Sequence, residues 1–276
     1  MTAATDVLEK VRDHYGAVGL AERLKTALAV FGEEEQLLTP EQLAGVDQFH
    51  TRGHAATLEL AELAGVTATA SLLDIGSGIG GPARVLAATY GCRVTGVDLS
   101  EPFVEAARYL NRRTGQEGKV SFEVASALDL PFDDAEFDVV LLQHVAMNIA
   151  ERERLYREIR RVLGPGGRLA TYDIVSNGAE PHYPVPWART EETSFLLSAE
   201  ATCEAVQQAG FRTLTFKDDT PIAKAWVAEL RASGPPPSPN LGIVMGPDFG
   251  ATLGNLGRSL MEGRIGVLTA VFEAVS

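Results

Sequence analysis

Cysteine is scarce. The 276 residues hold only two, Cys92 and Cys203, far apart and each among apolar neighbours. That argues against a disulfide framework or a cysteine-built metal site, and both read as buried free thiols. Basic clusters are missing too. Lys and Arg number 24 against 37 Asp and Glu, a net charge of −13, so neither nucleic acid nor an anionic membrane is an expected partner. No stretch approaches about eighteen consecutive apolar residues. Met1-Thr-Ala-Ala-Thr-Asp6 lacks the basic-then-apolar pattern of a secretory leader, and the expected location is the cytoplasm. What remains, 45% apolar and 22% charged, is an ordinary globular composition. The length suits one large α/β domain with an added subdomain.

Glycine, by contrast, is concentrated at one place. Residues 70–81 read Ala-Ser-Leu-Leu-Asp-Ile-Gly-Ser-Gly-Ile-Gly-Gly, a short apolar run carrying one acid, Asp74, that breaks into a glycine-rich loop. Pro82 then opens a helix that Gly91 closes. In such a strand–loop–helix the backbone itself lies close to a ligand, which glycine permits. Gly76, Gly78 and Gly81 fit G-x-G-x-x-G, a spelling that alone is weakly diagnostic. The next strand, Arg93-Val-Thr-Gly-Val-Asp98, ends in an acid 22 residues after Gly76, placed to accept both hydroxyls of an adenosine ribose. Enzymes using NAD and enzymes using S-adenosylmethionine (SAM) both want that acid. Asp74 favours SAM: a carboxylate two residues before the first glycine suits a cationic amino-acid tail, whereas it would repel a pyrophosphate where a helix N-terminus should attract it.

Apolar strands are expected at 71–75, 93–98, 120–124, 137–143 and 168–174, with helices near 82–90, 101–114 and 150–163 between them. Alternation of this kind predicts a doubly wound, mostly parallel sheet with right-handed crossovers. The Arg/Glu run 151–161 reads as a solvated crossover helix, with Leu155, Ile159 and Val162 on its apolar face. Gly164-Pro-Gly-Gly167 reads as the turn into the fifth strand. Ahead of the sheet, residues 1–66 read as helices. Val7 to Tyr15 and Leu20 to Phe31 show helical spacing, and Thr39-Pro-Glu-Gln42 is a capping box. After a loop at 176–198 come a helix capped by Ser198, a strand from Phe211 to Phe216, helices from about 221 and near 248–261, and a seventh strand from Arg264 to Phe272.

Leu73-Asp-Ile-Gly-Ser-Gly-Ile-Gly-Gly81, Gly96-Val-Asp-Leu-Ser100, Ala127-Leu-Asp-Leu-Pro-Phe132, Phe137-Asp-Val-Val140 and Val162-Leu-Gly-Pro-Gly-Gly167 follow one another along the chain. Together they resemble the class I SAM-dependent methyltransferases over about residues 48–175. The nearest branch in pattern acts on small molecules and includes quinone C-, phosphoethanolamine and sarcosine N-, and antibiotic sugar O-methyltransferases. The resemblance implies a Rossmann-like methyltransferase fold: an N-terminal helical lid (1–66), a SAM-binding α/β core (67–218), a helical insertion lining the acceptor site (219–262) and the last core strand (263–276). It implies SAM as cofactor, a small-molecule partner, metal-independent chemistry, and transfer to an O or N atom. C-methylation of a quinone-like or other natural-product acceptor is the alternative. A nicotinamide oxidoreductase is a further one, weakened because no tyrosine has lysine four residues on. The acceptor and the oligomeric state are left open.

Carried over residue by residue, the resemblance puts Asp74 and Gly76 at the methionine end, Gly78 among the cofactor-binding residues, Asp98 on the ribose, Leu99 against adenine, and Gln143 on the methionine or sulfur side. Where the family often has Gly-Asp-Ala after the third strand, this chain has Ala125-Ser126-Ala127, so Ser126 and Ala127 meet the adenine without a charge. Asp47-Gln-Phe-His-Thr-Arg-Gly53 resembles the segment that folds over the cofactor, with His50 and Tyr15 as lid residues or simply helix packing. For transfer itself, alignment and exclusion of water do most of the work, and a base is needed only if the acceptor must lose a proton. His144, at the end of the fourth strand, has an ordinary pKa of about 6.5 suited to that task. Asn148 stands where the branch often has histidine and can orient a polar acceptor but take no proton. Asp173, at the end of the fifth strand, either serves the acceptor or caps the following loop. His182, Tyr183, Trp187, Phe195, Trp226 and 245–249 either wall an apolar acceptor or pack the core.

Overall fold

The computed structural model describes residues 19–234 and 238–275. The expected helix from Val7 to Tyr15, and with it Tyr15 as a lid residue, lies outside the described residues. Among the described residues, three α-helices precede the sheet: α1 (Leu20–Leu28), α2 (Pro40–Asp47) and α3 (His54–Leu63). One face of α1, Leu20, Leu24 and Leu28, is buried. At the start of α2, Thr39 and Gln42 cap each other's backbone and Pro40 takes the first turn. Strands and helices then alternate: β1 (Ser71–Ile75), α4 (Gly81–Tyr90), β2 (Arg93–Asp98), α5 (Glu101–Arg113), β3 (Val120–Val124), β4 (Phe137–Gln143), α6 (Arg152–Val162) and β5 (Leu163–Ser176). There follow α7 (Ala199–Gln208), β6 (Phe211–Asp218), α8 (Thr220–Ser233), the short α9 (Gly242–Met245), α10 (Phe249–Met261) and β7 (Ile265–Ala274).

The seven strands form one sheet in the order β3-β2-β1-β4-β5-β7-β6. It is parallel except for β7, which runs antiparallel to both β5 and β6. The doubly wound, mostly parallel sheet expected from the sequence is thus present. Helices cover both faces, so the central strands are apolar on both, as parallel sheets require. The strand period of two splits them cleanly. Leu72, Val139 and Leu141 pack into one core layer, whereas Leu73, Ile75, Val140 and Leu142 enter the other. A third cluster joins α1 and α2 to α5 and α9 through Leu24, Val46, Phe103 and Val244.

One boundary differs from the sequence reading. Gly164–Gly167 is not a turn ahead of the strand. β5 begins at Leu163, which pairs with Phe137, and the register then jumps so that Val139 pairs with Arg168. The glycine-rich stretch is a bulge within a long strand, which pairing with Phe137 on one side of the bulge makes possible.

Chain order reverses at β1 and β4, which are neighbours in the sheet although β2 and β3 intervene in sequence. Crossovers that diverge there leave a crevice at the carboxyl ends of the strands, where open α/β sheets bind ligands.

Candidate active site

A cavity of about 480 Å³ occupies that crevice, walled by the segments that follow β1 to β4, by residues 44–54, and by α8 to α10. Its floor is the glycine loop. Gly76, Gly78 and Gly80 all have positive φ, between 56° and 81°, and the N–H groups of Gly76 and Ser77 both donate to the Val97 carbonyl (2.8 and 2.9 Å). The loop is therefore folded tightly back on β2. A Cβ on Gly76 would collide with Val145, and one on Gly78 with Phe49. Gly81 starts α4, and a Cβ there would run into the Asp47 carbonyl.

Asp98, at the carboxyl end of β2, lines the cavity. Its two carboxylate oxygens accept from Gly78 N and Ser100 N, both at 2.9 Å. Burial pushes its pKa up, and these backbone donors pull it part of the way back. Leu99, Ser126 and Ala127 line the same end, with the Ser126 hydroxyl accepting from Leu128 N at 3.2 Å. Gln143 reaches the cavity from β4. Its Oε1 accepts from Thr57 Oγ1 (3.2 Å), and its buried Nε2 has no partner. Asp74 is a different case. It is buried beneath the loop and is not part of the cavity wall, and its Oδ2 is unpartnered. Burial, then the neighbouring Asp98 charge, raises its pKa to about 7.

His144 sits just past β4 with φ of 54°, which turns the chain into the cavity. Its N–H donates to the Tyr172 carbonyl (2.8 Å), and its ring stacks on that of Tyr172 with centroids 5.4 Å apart and planes 13° apart. Nε2 is buried without a partner. Burial, with a contribution from His50, lowers its pKa well below the ordinary value, so the ring is neutral. The His50 ring meets His144 edge-on at 6.1 Å. Its Nε2 lies 3.0 Å from both Gly53 O and Thr57 Oγ1, and burial takes its pKa down to about 4.

Two residues singled out for the chemistry are engaged with backbone groups. Asp173 is buried and does not line the cavity. Its carboxylate accepts from Ile174 N (2.9 Å) and faces the N–H groups of Ala146 and Met147, so it ties β5 to the 144–149 segment. Burial raises its pKa to about 7 although Arg152 stands nearby. Asn148 does line the cavity, but its amide donates to the carbonyls of Trp187 (2.8 Å) and Thr193 (3.4 Å) and ties two loops together.

Residues 48–54 all line the cavity. They are anchored by a buried ion pair, Arg84 on α4 to Asp47 at 2.8 Å, with both side chains at most 1% exposed. Gln48 Nε2 adds a bond to the same carboxylate (3.1 Å). Thr51 bonds the Tyr172 hydroxyl (2.8 Å), and Arg52 pairs with Glu59 (2.7 Å). The other end of the cavity is apolar, with Met147, Trp187, Trp226, Leu230, Met245 and Leu253 on its wall. His182, Tyr183 and Phe195 are not there. His182 pairs with Glu262 (2.6 Å), Tyr183 donates to Glu180 (3.0 Å), and the Phe195 backbone is bonded to Met147 and Arg152. Leu230 and Leu253 were not singled out from the sequence, and helical spacing alone does not say which apolar face meets a cavity rather than a core.

Fold and site together form a ligand crevice at the carboxyl ends of the strands, and residues 73–171 match the family described as a methyltransferase domain. Among curated relatives, methyltransferase GfsG of Streptomyces halstedii is 38% identical over 135 residues, covering 49% of each protein. The O-methyltransferase resE of Aspergillus sclerotiorum is 36% identical over 150 residues, 53% of this chain and 56% of that one. The chain thus spans about half the length of the curated relatives it matches, and these include O-, N- and C-methyltransferases. Among solved structures, geranyl diphosphate C-methyltransferase from Streptomyces coelicolor A3(2) superposes with a TM-score of 0.71 at 20% identity, covering 100% of both chains, which is a likeness of fold.

Proposed function

We propose that the protein is a SAM-dependent methyltransferase that acts on a small molecule, at an O or N atom, with a carbon acceptor as the alternative. The observation that carries this reading is the Asp98 carboxylate on the cavity wall beside a loop with no room for a Cβ at Gly76, Gly78 or Gly81. The residues fit the cofactor. Asp98 has lone pairs left for two ribose hydroxyls after accepting from two backbone N–H groups. Leu99, Ser126 and Ala127 are placed for the adenine. Gln143 Nε2, buried and unpartnered, is a donor for the methionine carboxylate. Asp74 acts from beneath the loop, through the backbone or a water, on the charge of the amino-acid tail. When bound, SAM supplies a methyl group already activated on a sulfonium.

The chain's own part is alignment, exclusion of water and, for a hydroxyl acceptor, taking up a proton at His144 Nε2. Residues 47–53 serve as the cover over the cofactor and 220–261 as the acceptor side, while Asp173 and Asn148 position the loops around His144. A dinucleotide is disfavoured by packing. Its pyrophosphate would need the N-terminus of α4, which the Asp47 carbonyl covers.

Asp98→Ala tests the reading. Leaving two ribose hydroxyls unpaired costs about 1–3 kcal/mol, one to two decades of SAM affinity, with the fold retained. Calorimetry showing unchanged SAM binding would remove the cofactor assignment.

A further inference from the structure

The geometry points to an acceptor that is uncharged and rich in hydrocarbon, bearing at most a hydroxyl, with phosphorylated and zwitterionic molecules rejected. This rests on the methyltransferase reading and names the substrate class for that site.

Sheet order sets the two ends of the cavity apart. The segments after β2 and β3, with Asp98 and Ser126, lie on one side of β1, and those after β4 and β5, with α8 to α10, on the other. On that second side Met147, Trp187, Trp226, Leu230 and Leu253 form the wall. Among the described residues, Asp98 and Arg52 carry the formal charges that line the cavity, and Asp98 is at the far end. Arg52 is no hook for an anion. It bonds Glu59 at 2.7 Å and stands 3.6 Å from the fully buried Asp219. Lys217 closes the group at 2.7 Å from Glu59 and 3.0 Å from Asp219, so two cations face two carboxylates and cancel. The neighbouring amides are engaged as well: Asn148 with Trp187 O, and Asn240 Oδ1 with Gly242 N at 3.0 Å. A diphosphate, carboxylate or ammonium brought here would leave water and meet no free counter-charge, whereas a hydrocarbon loses nothing by burial.

The chain's two tryptophans, Trp187 and Trp226, both line the cavity, so intrinsic fluorescence reports on it directly. The full-length protein is titrated, with and without S-adenosylhomocysteine, with geraniol, n-decanol, geranyl diphosphate and dimethylglycine. Geraniol and its diphosphate share one hydrocarbon and differ in charge. Both alcohols are expected to quench, geraniol with a Kd at least tenfold below that of the diphosphate, and dimethylglycine to do nothing. Leu253→Lys should weaken geraniol at least tenfold and tighten the diphosphate, while Leu253→Met, which keeps the volume, should leave both unchanged; circular dichroism checks that each variant is folded. A diphosphate bound as tightly as the alcohol, quenching by dimethylglycine seated on the tryptophans, silence to both alcohols, or an unaltered preference in folded Leu253→Lys would each overturn the proposal. Failure of S-adenosylhomocysteine to bind in calorimetry would instead sink the cofactor reading, and the comparison in the ligand-free protein would still stand on its own.

Discussion

His144 holds a left-handed backbone conformation, 54° in φ, that non-glycine residues seldom adopt. The Tyr172 ring beneath it and the Tyr172 carbonyl on its N–H over-determine that conformation and point Nε2 inward. The sequence placed this histidine at the strand end and supplied an ordinary pKa. Burial, which no local pattern reveals, lowers it, so the ring is neutral well below pH 6.5. If the acceptor is a hydroxyl, the rate of transfer is expected to stay flat between pH 6 and 8. His144→Ala is expected to cut turnover by about 10²–10⁴-fold, with SAM affinity unchanged in calorimetry. An inflection near pH 6.5, or wild-type turnover in the variant, would exclude His144 as the base. Asp173 shows the converse. Its place at the end of β5 suggested chemistry, but which way a side chain at a strand end points depends on the neighbouring loop, and here the N–H groups of Ala146 and Met147 claim it.

At the scale of elements, segment 47–53 was visible as a pattern and its anchor was not. Arg84 lies on α4, a helix whose two ends Pro82 and Gly91 announce, yet nothing local marks it as the fully buried partner of Asp47, 37 residues earlier. Removing one member of a buried pair strands the other charge, at a cost of about 3–5 kcal/mol. Arg84→Ala should therefore lower stability by that order in denaturant unfolding, speed amide exchange across 47–53, and weaken SAM binding. Normal exchange across 47–53 in the variant would show that the pair does not hold this segment in place. The β5 bulge is hidden from the sequence for a related reason. Gly164-Pro-Gly-Gly167 carries every local sign of a turn, and only the pairing of Leu163 with Phe137 extends the strand through it.

At the scale of the whole molecule, burial raises the pKa values of Asp74 and Asp173 to about 7 each. Below about pH 4 both are protonated in the folded and the unfolded chain and contribute no difference. Between about pH 4 and 7 the unfolded chain releases these protons while the folded one keeps them, so their contribution lowers stability as pH rises, and it levels off above 7. The buried, neutral His50 and His144 act in the opposite sense, adding stability as pH rises through the range where free histidine loses its proton. The difference between variant and parent isolates the acids. Asp74→Asn and Asp173→Asn should each gain on the order of 4 kcal/mol relative to the parent between pH 4 and 8 in cofactor-free unfolding experiments. A pH-independent difference would mean that the carboxyl is ionised in the folded protein.

Taken alone, the sequence determined the alternation of strands and helices, the glycine loop with its following proline, and the acid after β2, because each depends on local conformation and on spacing along a few turns of chain. It also carried the reading of SAM as cofactor, since Asp74, the loop and Asp98 lie within one strand–helix–strand unit. Tertiary structure decided the rest: that Asp98 and Gln143 line one cavity while Asp74 lies beneath its floor, that Asp173 and Asn148 hold loops, and that two cations and two acids from two distant stretches, 52–59 and 217–219, cancel beside an apolar wall. Burial, charge balance and the direction of a side chain are properties of neighbours distant in sequence, and they come into being only when the sheet brings the carboxyl ends of its strands together.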